Sequence, residues 1–209
     1  MKAVPVLTPL PLRFRLLCLV CLLLTGLEGV LSAQEALTVA HVEEITQERR
    51  SVPESSELAD QLSRAYLEAE SGFSESRVPL LMVLAAVGAL TAAGAARLLR
   101  PGFLPREGVR RFVVWGAGIA AALRTLDGAQ QAVMFRRAAS VVLTYHGALP
   151  KGLNAENFAQ SRAALPGVAA FGAAFITAAV AGMYVLFSVY FSSPAVKALV
   201  AAKDKQLMP

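Results

Sequence analysis

Residues 78–99 read VPLLMVLAAVGALTAAGAARLL, an apolar run of 22 residues in which Arg97 is the one charged side chain. A helix needs about 20 apolar residues to cross the hydrocarbon core of a bilayer. A second run, residues 166–191, contains no charged residue. The chain is 56% hydrophobic and 17% charged, whereas soluble domains average roughly 25% charged residues. The sequence therefore predicts an all-α integral membrane protein with two transmembrane helices, and it excludes an intrinsically disordered chain.

The charges are segregated on the two sides of the first apolar run. Residues 34–77 contain ten acidic and four basic residues, whereas five arginines lie in or just after the end of the run. Arginines crowded at one end of a span are typical of its cytoplasmic side. We therefore expect residues 34–77 to be a luminal or exoplasmic segment, residues 100–165 to be a basic cytoplasmic region, and residues 192–209 to be a basic tail.

Residues 1–33 have the order of features that a secretory signal peptide shows. Basic residues come first, the apolar run 16–24 follows, and the small residues Ser32 and Ala33 end the segment. Gly26 and Gly29 are expected to end its helix. We therefore predict a cleavable signal peptide and a multi-pass protein of the secretory pathway. An uncleaved anchor and a mitochondrial presequence, with a mitochondrial membrane as the location, are the alternatives.

Two intermediate segments give weaker signals. Apolar residues recur at helical spacing from about residue 54 to residue 71, which predicts a short amphipathic luminal helix. The runs 112–123 and 138–149 have 12 residues each, too few for a standard span. If both cross, the protein has four transmembrane helices. If neither crosses, they form a basic hairpin on the cytoplasmic leaflet, which is the arrangement we favour.

The basic residues of this region are expected to contact the anionic lipids of that leaflet. The predicted membrane-surface residues are Arg97, Arg100, Arg106, Arg110, Arg111, Arg136 and Arg137.

Small residues follow one another at four-residue intervals in the second span. Ala170, Ala174, Ala178 and Gly182 form this small-residue ridge. Small ridges let helix backbones approach closely in lipid, so we expect the ridge to pack against a second copy or another membrane helix. The first span offers similar rows, and the bulky row that includes Phe175 and Phe187 is expected to face lipid.

No catalytic motif or phosphate-binding loop occurs in the sequence. Cys18 and Cys21 have the CxxC spacing of a metal or redox site, but they lie inside the apolar run of the predicted signal, where they are expected to be hydrophobic residues. We therefore expect a non-enzymatic protein without a cofactor or bound metal, and no nucleic-acid partner. Arg124 and Asp127 lie three residues apart and can pair on one helix face. We favour a surface ion pair for them; the alternative is an intramembrane functional pair.

These features predict a membrane scaffold or a small subunit of a helical membrane complex. The alternative from another class is a channel or transporter component that uses Arg124 and Asp127. The layout of signal, short acidic segment, arginine-flanked span and basic region also resembles small secreted membrane proteins of apicomplexan parasites, such as dense-granule proteins. That resemblance covers organisation without a shared motif, and it implies an organelle or vacuole membrane.

Overall fold

The computed structural model describes residues 10–51, 58–100, 106–145 and 155–207. Every regular element within these ranges is an α-helix, which confirms the all-α prediction. The helices are α1 (Leu12–Ala40), α2 (Val42–Ser51), α3 (Leu58–Ser71), α4 (Ser74–Leu99), α5 (Arg106–Tyr145), α6 (Ala155–Ser192) and α7 (Pro194–Leu207). Among the described residues, three helices are long and apolar enough to cross a membrane: α1, α4 and the segment 163–192 of α6.

Two expectations about helix boundaries are wrong. α1 continues through Gly26 and Gly29 to Ala40, because both glycines pack against α4 and do not end the helix. α5 is one helix of 40 residues, about 60 Å long at 1.5 Å per residue. It includes the run 112–123 and the described part of the run 138–149, so these runs are not the two arms of a hairpin. The predicted amphipathic helix is present as α3, and residues 52–57 lie outside the described ranges.

The chain forms two compact units. The first unit comprises residues 1–33, 83–123 and 180–209. Its core is built from Cys18 and Cys21 of α1, the end of α4, the first half of α5, and aromatic residues of α6. Phe14 and Phe191 meet edge to face with their ring centroids 6.1 Å apart, so the start of α1 lies beside the end of α6.

The backbones of α1 and α4 approach each other closely in the first unit. A Cβ atom placed on Gly88 would lie 2.8 Å from the carbonyl oxygen of Thr25 and 3.1 Å from the Cα atom of Gly29. One turn away, Gly26 faces Ala92. Of the two small-residue rows in the first span, the one with Gly88 and Ala92 therefore packs against α1, whereas Ala89 and Ala93 of the other row are exposed.

The second unit comprises residues 34–82 and 124–179. Its apolar cluster joins the end of α1, the start of α2 and the start of α4 through Ala36, Val39, Val42 and Leu81. α2 and α3 pack against each other. Tyr66 of α3 contacts Phe135 of α5, with ring centroids 5.6 Å apart. These contacts lie around a group of buried charged side chains.

α1 and α5 bury mainly small and polar residues and expose large apolar ones. In α1 the buried positions include Cys18, Cys21, Thr25 and Ser32. The exposed positions of the same helix include the leucines Leu16, Leu19, Leu23, Leu27 and Leu31. α5 shows the same inversion, with Trp115 73% exposed. α6 also exposes large apolar residues, among them Phe171 at 71%, but its buried face carries aromatic residues. Soluble proteins rarely expose large contiguous apolar patches, which mark membrane or protein contact surfaces.

Candidate functional site

Arg77 lies at the centre of a cluster of charged side chains in the second unit. Its guanidinium group is fully buried, and its Nε donates to Asp127 Oδ1 at 3.0 Å. Its two terminal nitrogens donate to Glu70 Oε1 at 2.7 Å and to Glu35 Oε1. One arginine thus joins carboxylates from α1, α3 and α5 to α4.

Asp127 is the second centre of this charge cluster. It is fully buried, and its Oδ2 accepts hydrogen bonds from Arg124 at 2.7 Å and from Gln131 at 3.0 Å. Gln131 also donates to Glu35 at 3.5 Å. Residues 124, 127 and 131 are three and four positions apart, so α5 presents them on one face. Arg124 and Asp127 form the ion pair that their spacing predicts. The prediction that this pair lies on the surface is wrong for Asp127.

A tight turn between α3 and α4 brings Glu70 to Arg77. The backbone N–H of Phe73 donates to the carbonyl oxygen of Glu70 at 2.9 Å, and the N–H of Arg77 donates to that of Phe73 at 2.9 Å. Ser74 Oγ donates to the carbonyl oxygen of Ser71 at 2.9 Å. These bonds satisfy polar groups that the end of one helix and the start of the next leave open.

Burial in the charge cluster shifts the titration of α3 side chains. Burial raises the pKa of Glu70, and the positive charge of Arg77 acts in the opposite direction. Burial also raises the pKa of Tyr66, one turn earlier on α3. The removal of a carboxylate from water disfavours its ionised form, so Glu70 keeps its proton to a higher pH than a solvated glutamate does.

Sequence reasoning did not find Arg77, Glu35 or Glu70. In the sequence Arg77 is one of the four basic residues of segment 34–77 and directly precedes the first apolar run. Glu35 is one residue before the buried Ala36 on a helix that was expected to end earlier. A usable signal existed for Glu35: it stands three residues after Ser32 and four before Val39, on the face that α1 buries.

The predicted membrane-surface basic residues fall into both units. Arg97, Arg100 and Arg111 of the first unit are exposed. Arg136 and Arg137 belong to the second unit and are also exposed, and the Arg137 guanidinium lies 5.2 Å from the ring centroid of Phe73.

Arg106 and Arg110 are buried, contrary to the expectation that they lie on the membrane surface. Arg110 donates to the backbone carbonyl oxygen of Phe191 and, at 2.7 Å, to both carboxylate oxygens of Glu107. The hydrogen bonds from Arg110 are the main reason why the pKa of Glu107 is lowered to about 2, and the hydrogen bond from Arg111 acts in the same direction. Arg110 therefore joins the end of α6 to the start of α5.

The C-terminal segment caps α5. Asp204 of α7 accepts hydrogen bonds from the backbone N–H groups of Arg106 at 2.9 Å and Glu107 at 3.1 Å. A carboxylate at this position satisfies donors that have no partner inside the helix and complements the helix dipole. The segment predicted as a basic tail is thus a helix with a defined contact in the first unit.

Within the part of the chain that the structure describes, the small-residue ridge of α6 is mostly exposed. Ala174, Ala178 and Gly182 are exposed, and Ala170 is half-buried. The buried face of α6 instead carries Thr177, Ala181, Tyr184, Phe187 and Phe191. The expectation that Phe187 faces lipid is therefore wrong, whereas Phe175 is 66% exposed as expected. The contact of the ridge with a second helix remains a prediction.

The contacts of the charge cluster also bear on topology. Gln130 donates to Ser76 Oγ at 3.4 Å, and Arg77 contacts Asp127. A bilayer cannot separate residues that form hydrogen bonds with each other. The expectation that residue 75 and residue 130 lie on opposite sides of the membrane is therefore wrong.

Comparisons with known proteins do not assign this arrangement. No protein-family model matches the chain, and no curated protein or solved structure matches it either. Among the residues that the structure describes, no group of three or more His, Cys, Asp or Glu side chains is placed to hold a metal ion. The charge cluster, the exposed apolar surface and the helix contacts are the observations on which a function can be argued.

Proposed function

We propose that the chain is a multi-pass integral membrane protein that acts as a scaffold or a small subunit of a helical membrane complex. One observation carries this proposal: α1 and α5 expose large apolar side chains and bury mainly small and polar ones, and α6 exposes Phe171, Phe175 and Ile176. A bilayer solvates such a surface without cost, whereas water does not. The charge cluster supports a structural role because each of its carboxylates contacts an arginine of the same chain.

The proposal includes α1 as a retained first span. The small residues on its buried face pack against α4. Removal of residues 1–33 would therefore expose Gly88 and the core residues that contact Cys18 and Cys21. A cleaved signal peptide on the secretory route remains the alternative. The intact mass of the purified protein distinguishes the two, because retention of α1 leaves the full-length chain and cleavage shortens it by about 33 residues.

Four crossings fit the contacts best. The pairing of Arg77 with Asp127 puts the start of α4 beside the middle of α5, and the bond from Arg106 to Asp204 puts the start of α5 beside α7. α5 would then cross through residues 112–123. This segment is about 18 Å long, shorter than a hydrocarbon core of about 30 Å. Arg111 and Arg124 at its ends can extend towards the headgroups, and the bilayer can thin locally.

The charges support an orientation for this four-span arrangement. In the sequence, residues 34–77 contain ten acidic and four basic residues, whereas residues 97–111 contain five arginines and one glutamate. The bias of basic residues towards the cytoplasm places both ends of the chain on that side. Protease protection of the full chain tests this, with tags at residues 75, 130 and 209. We expect the first two tags on one side and the third on the other; tags 75 and 130 on opposite sides would refute the arrangement.

The scaffold role requires a partner helix, and the exposed small-residue ridge of α6 is its candidate surface. Gly182→Leu and Ala178→Leu should weaken crosslinking between copies, or to a co-purifying helical partner, because they keep the helix backbones apart. Phe175→Leu, at an exposed position off the ridge, is the control. Equal effects of the ridge and control changes would count against helix association through the ridge.

A channel or transporter component is the second candidate function. It is favoured by the complete burial of Asp127 and Arg77, because ionisable residues buried in spanning helices often mark ion pathways. Purified protein in liposomes tests this directly. Ion flux that is lost in Arg124→Ala and Asp127→Ala would support the channel, and no flux would favour the scaffold.

A further inference from the structure

The charge cluster contains more carboxylates than arginines. Glu35, Glu70 and Asp127 face Arg77 and Arg124, so the five groups carry one excess negative charge when all are ionised. Four of these side chains are at most 15% exposed, and Glu35 is 33% exposed. An uncompensated charge is costly in such surroundings, and proteins commonly neutralise it with a proton.

The hydrogen bonds indicate which carboxylate takes that proton. Within the described part of the chain, Asp127 accepts three hydrogen bonds and Glu35 accepts two. Glu70 accepts one, from Arg77. Donated hydrogen bonds favour the ionised form of a carboxylate, and access to water does the same. Glu70 has the fewest donors and is almost completely buried, so it is the carboxylate that its surroundings stabilise least as an anion.

We propose that Glu70 is a proton-binding site and that its protonation controls how firmly α3 is held in the second unit. With the proton bound, the cluster is neutral overall and the C-terminal end of α3 stays against Arg77. Without it, Glu70 adds a third negative charge beside Glu35 and Asp127, and the end of α3 is held less firmly. The proposal concerns the fold of one chain and does not depend on the scaffold role.

The other groups that face Glu70 have been included in this argument. They are Glu35 from α1, Tyr66 from α3 itself, Arg77 from α4, and Arg124, Asp127 and Gln131 from α5. Burial raises the pKa of Glu70 above its unfolded value. Its contribution to stability is therefore complete below the unfolded pKa and is lost as the pH rises through the folded pKa.

Hydrogen exchange of the full-length protein in detergent tests the proposal between about pH 5 and about pH 8, above the ordinary glutamate pKa. After correction for intrinsic exchange rates, protection of α3 should fall as the pH rises, by up to tenfold for each unit between the folded and unfolded pKa values. Glu70→Gln carries a permanent neutral side chain and should keep α3 protected throughout. Glu75→Gln, which makes the same change at an exposed position, should behave as the wild type does.

Two outcomes would overturn the proposal. One is a Glu70→Gln protein whose α3 protection falls with pH as steeply as that of the wild type. The other is a Glu70→Gln protein that loses α3 protection at low pH, since this would mean that the cluster needs the ionised carboxylate. If this variant does not fold, infrared spectra of the wild type decide: a protonated carboxyl band that disappears across the same pH range supports the proposal, and its absence overturns it.

Discussion

Replacement of Gly88 by alanine tests the contact between α1 and α4 directly. The new Cβ atom would lie 2.8 Å from the carbonyl oxygen of Thr25 and 3.1 Å from both the Cα and N atoms of Gly29. These are backbone atoms of a helix and cannot rotate away as a side chain does. The two helices must therefore separate by several tenths of an ångström, which weakens the packing contacts between α1 and α4.

The magnitude follows from a comparison with Gly172. A Cβ atom on Gly172 would meet no atom within 4 Å, so Gly172→Ala changes only the intrinsic helix preference, about 1 kcal/mol in favour of alanine. Gly88→Ala gains the same preference but adds overpacking, which typically costs about 1–3 kcal/mol. The difference between the two variants isolates the overpacking. We expect Gly88→Ala to be about 1–3 kcal/mol less stable than Gly172→Ala, and Gly88→Leu to lose more.

Equilibrium unfolding of the purified chain in mixed detergent micelles measures this difference. A larger loss at position 88, growing from alanine to leucine, supports a close approach of α1 and α4 in the mature protein. Equal stability of the Gly88 and Gly172 variants would refute it, and would also be the result if α1 were removed as a signal peptide. Intact mass of the same samples separates these two explanations.

Three further perturbations test other contacts. Asp204→Ala removes the cap of α5 and should lower the free energy of unfolding by about 0.5–2 kcal/mol, whereas Lys205→Ala at the next, exposed position should have little effect in the same unfolding assay. Arg77→Met leaves buried carboxylates without their arginine and should cost about 3–5 kcal/mol; a stable Arg77→Met protein would contradict the burial of the cluster. Hydrogen bonds chiefly from Arg110 lower the pKa of Glu107 to about 2, so its contribution is present at neutral pH and is lost as the pH falls towards that value. Glu107→Gln should remove this acid dependence from a thermal unfolding profile.

The sequence was sufficient to predict the helical class and the apolar runs. A backbone in lipid must satisfy its own hydrogen bonds, so an apolar run of spanning length can be read as a helix. The same reasoning failed at Gly26 and Gly29, because glycine was treated as a helix breaker. In membrane helices glycine is often a contact residue, and Gly29 has that role against Gly88.

The contact face of α6 was missed for a geometric reason. Each step of four residues overshoots a full turn by about 40°, so three steps rotate a row by about 120°. Phe175 and Phe187 belong to one such row, yet Phe175 is 66% exposed and Phe187 is 4% exposed. The buried residues 177, 181, 184, 187 and 191 are separated by steps of four, three, three and four, which keeps them on one side of the helix.

The charge cluster could not be predicted because its partners are distant in the sequence. Arg77 contacts Glu35 and Asp127, which lie 42 and 50 positions away. Such pairs leave no local periodicity, unlike Arg124 and Asp127, which are three positions apart. The apolar runs on either side of α5's polar stretch were each too short to indicate a span, so nothing in the sequence placed Asp127 beside Arg77.

Side-chain size, more than hydropathy, separates the packed face of α1 from its exposed face. Both faces are apolar, so a hydropathy profile treats them alike. Between residues 16 and 32 the buried positions carry Cys18, Cys21, Thr25, Gly29 and Ser32, and five of the leucines are exposed. In water this arrangement would forfeit the hydrophobic gain of burying leucine, about 1.5–3 kcal/mol for each side chain. In lipid that gain does not exist, and close packing of small residues becomes the available source of helix association. The burial of small residues and the exposure of leucines therefore favour lipid over water as the surroundings of α1. This argument is independent of the mean hydropathy of the helix.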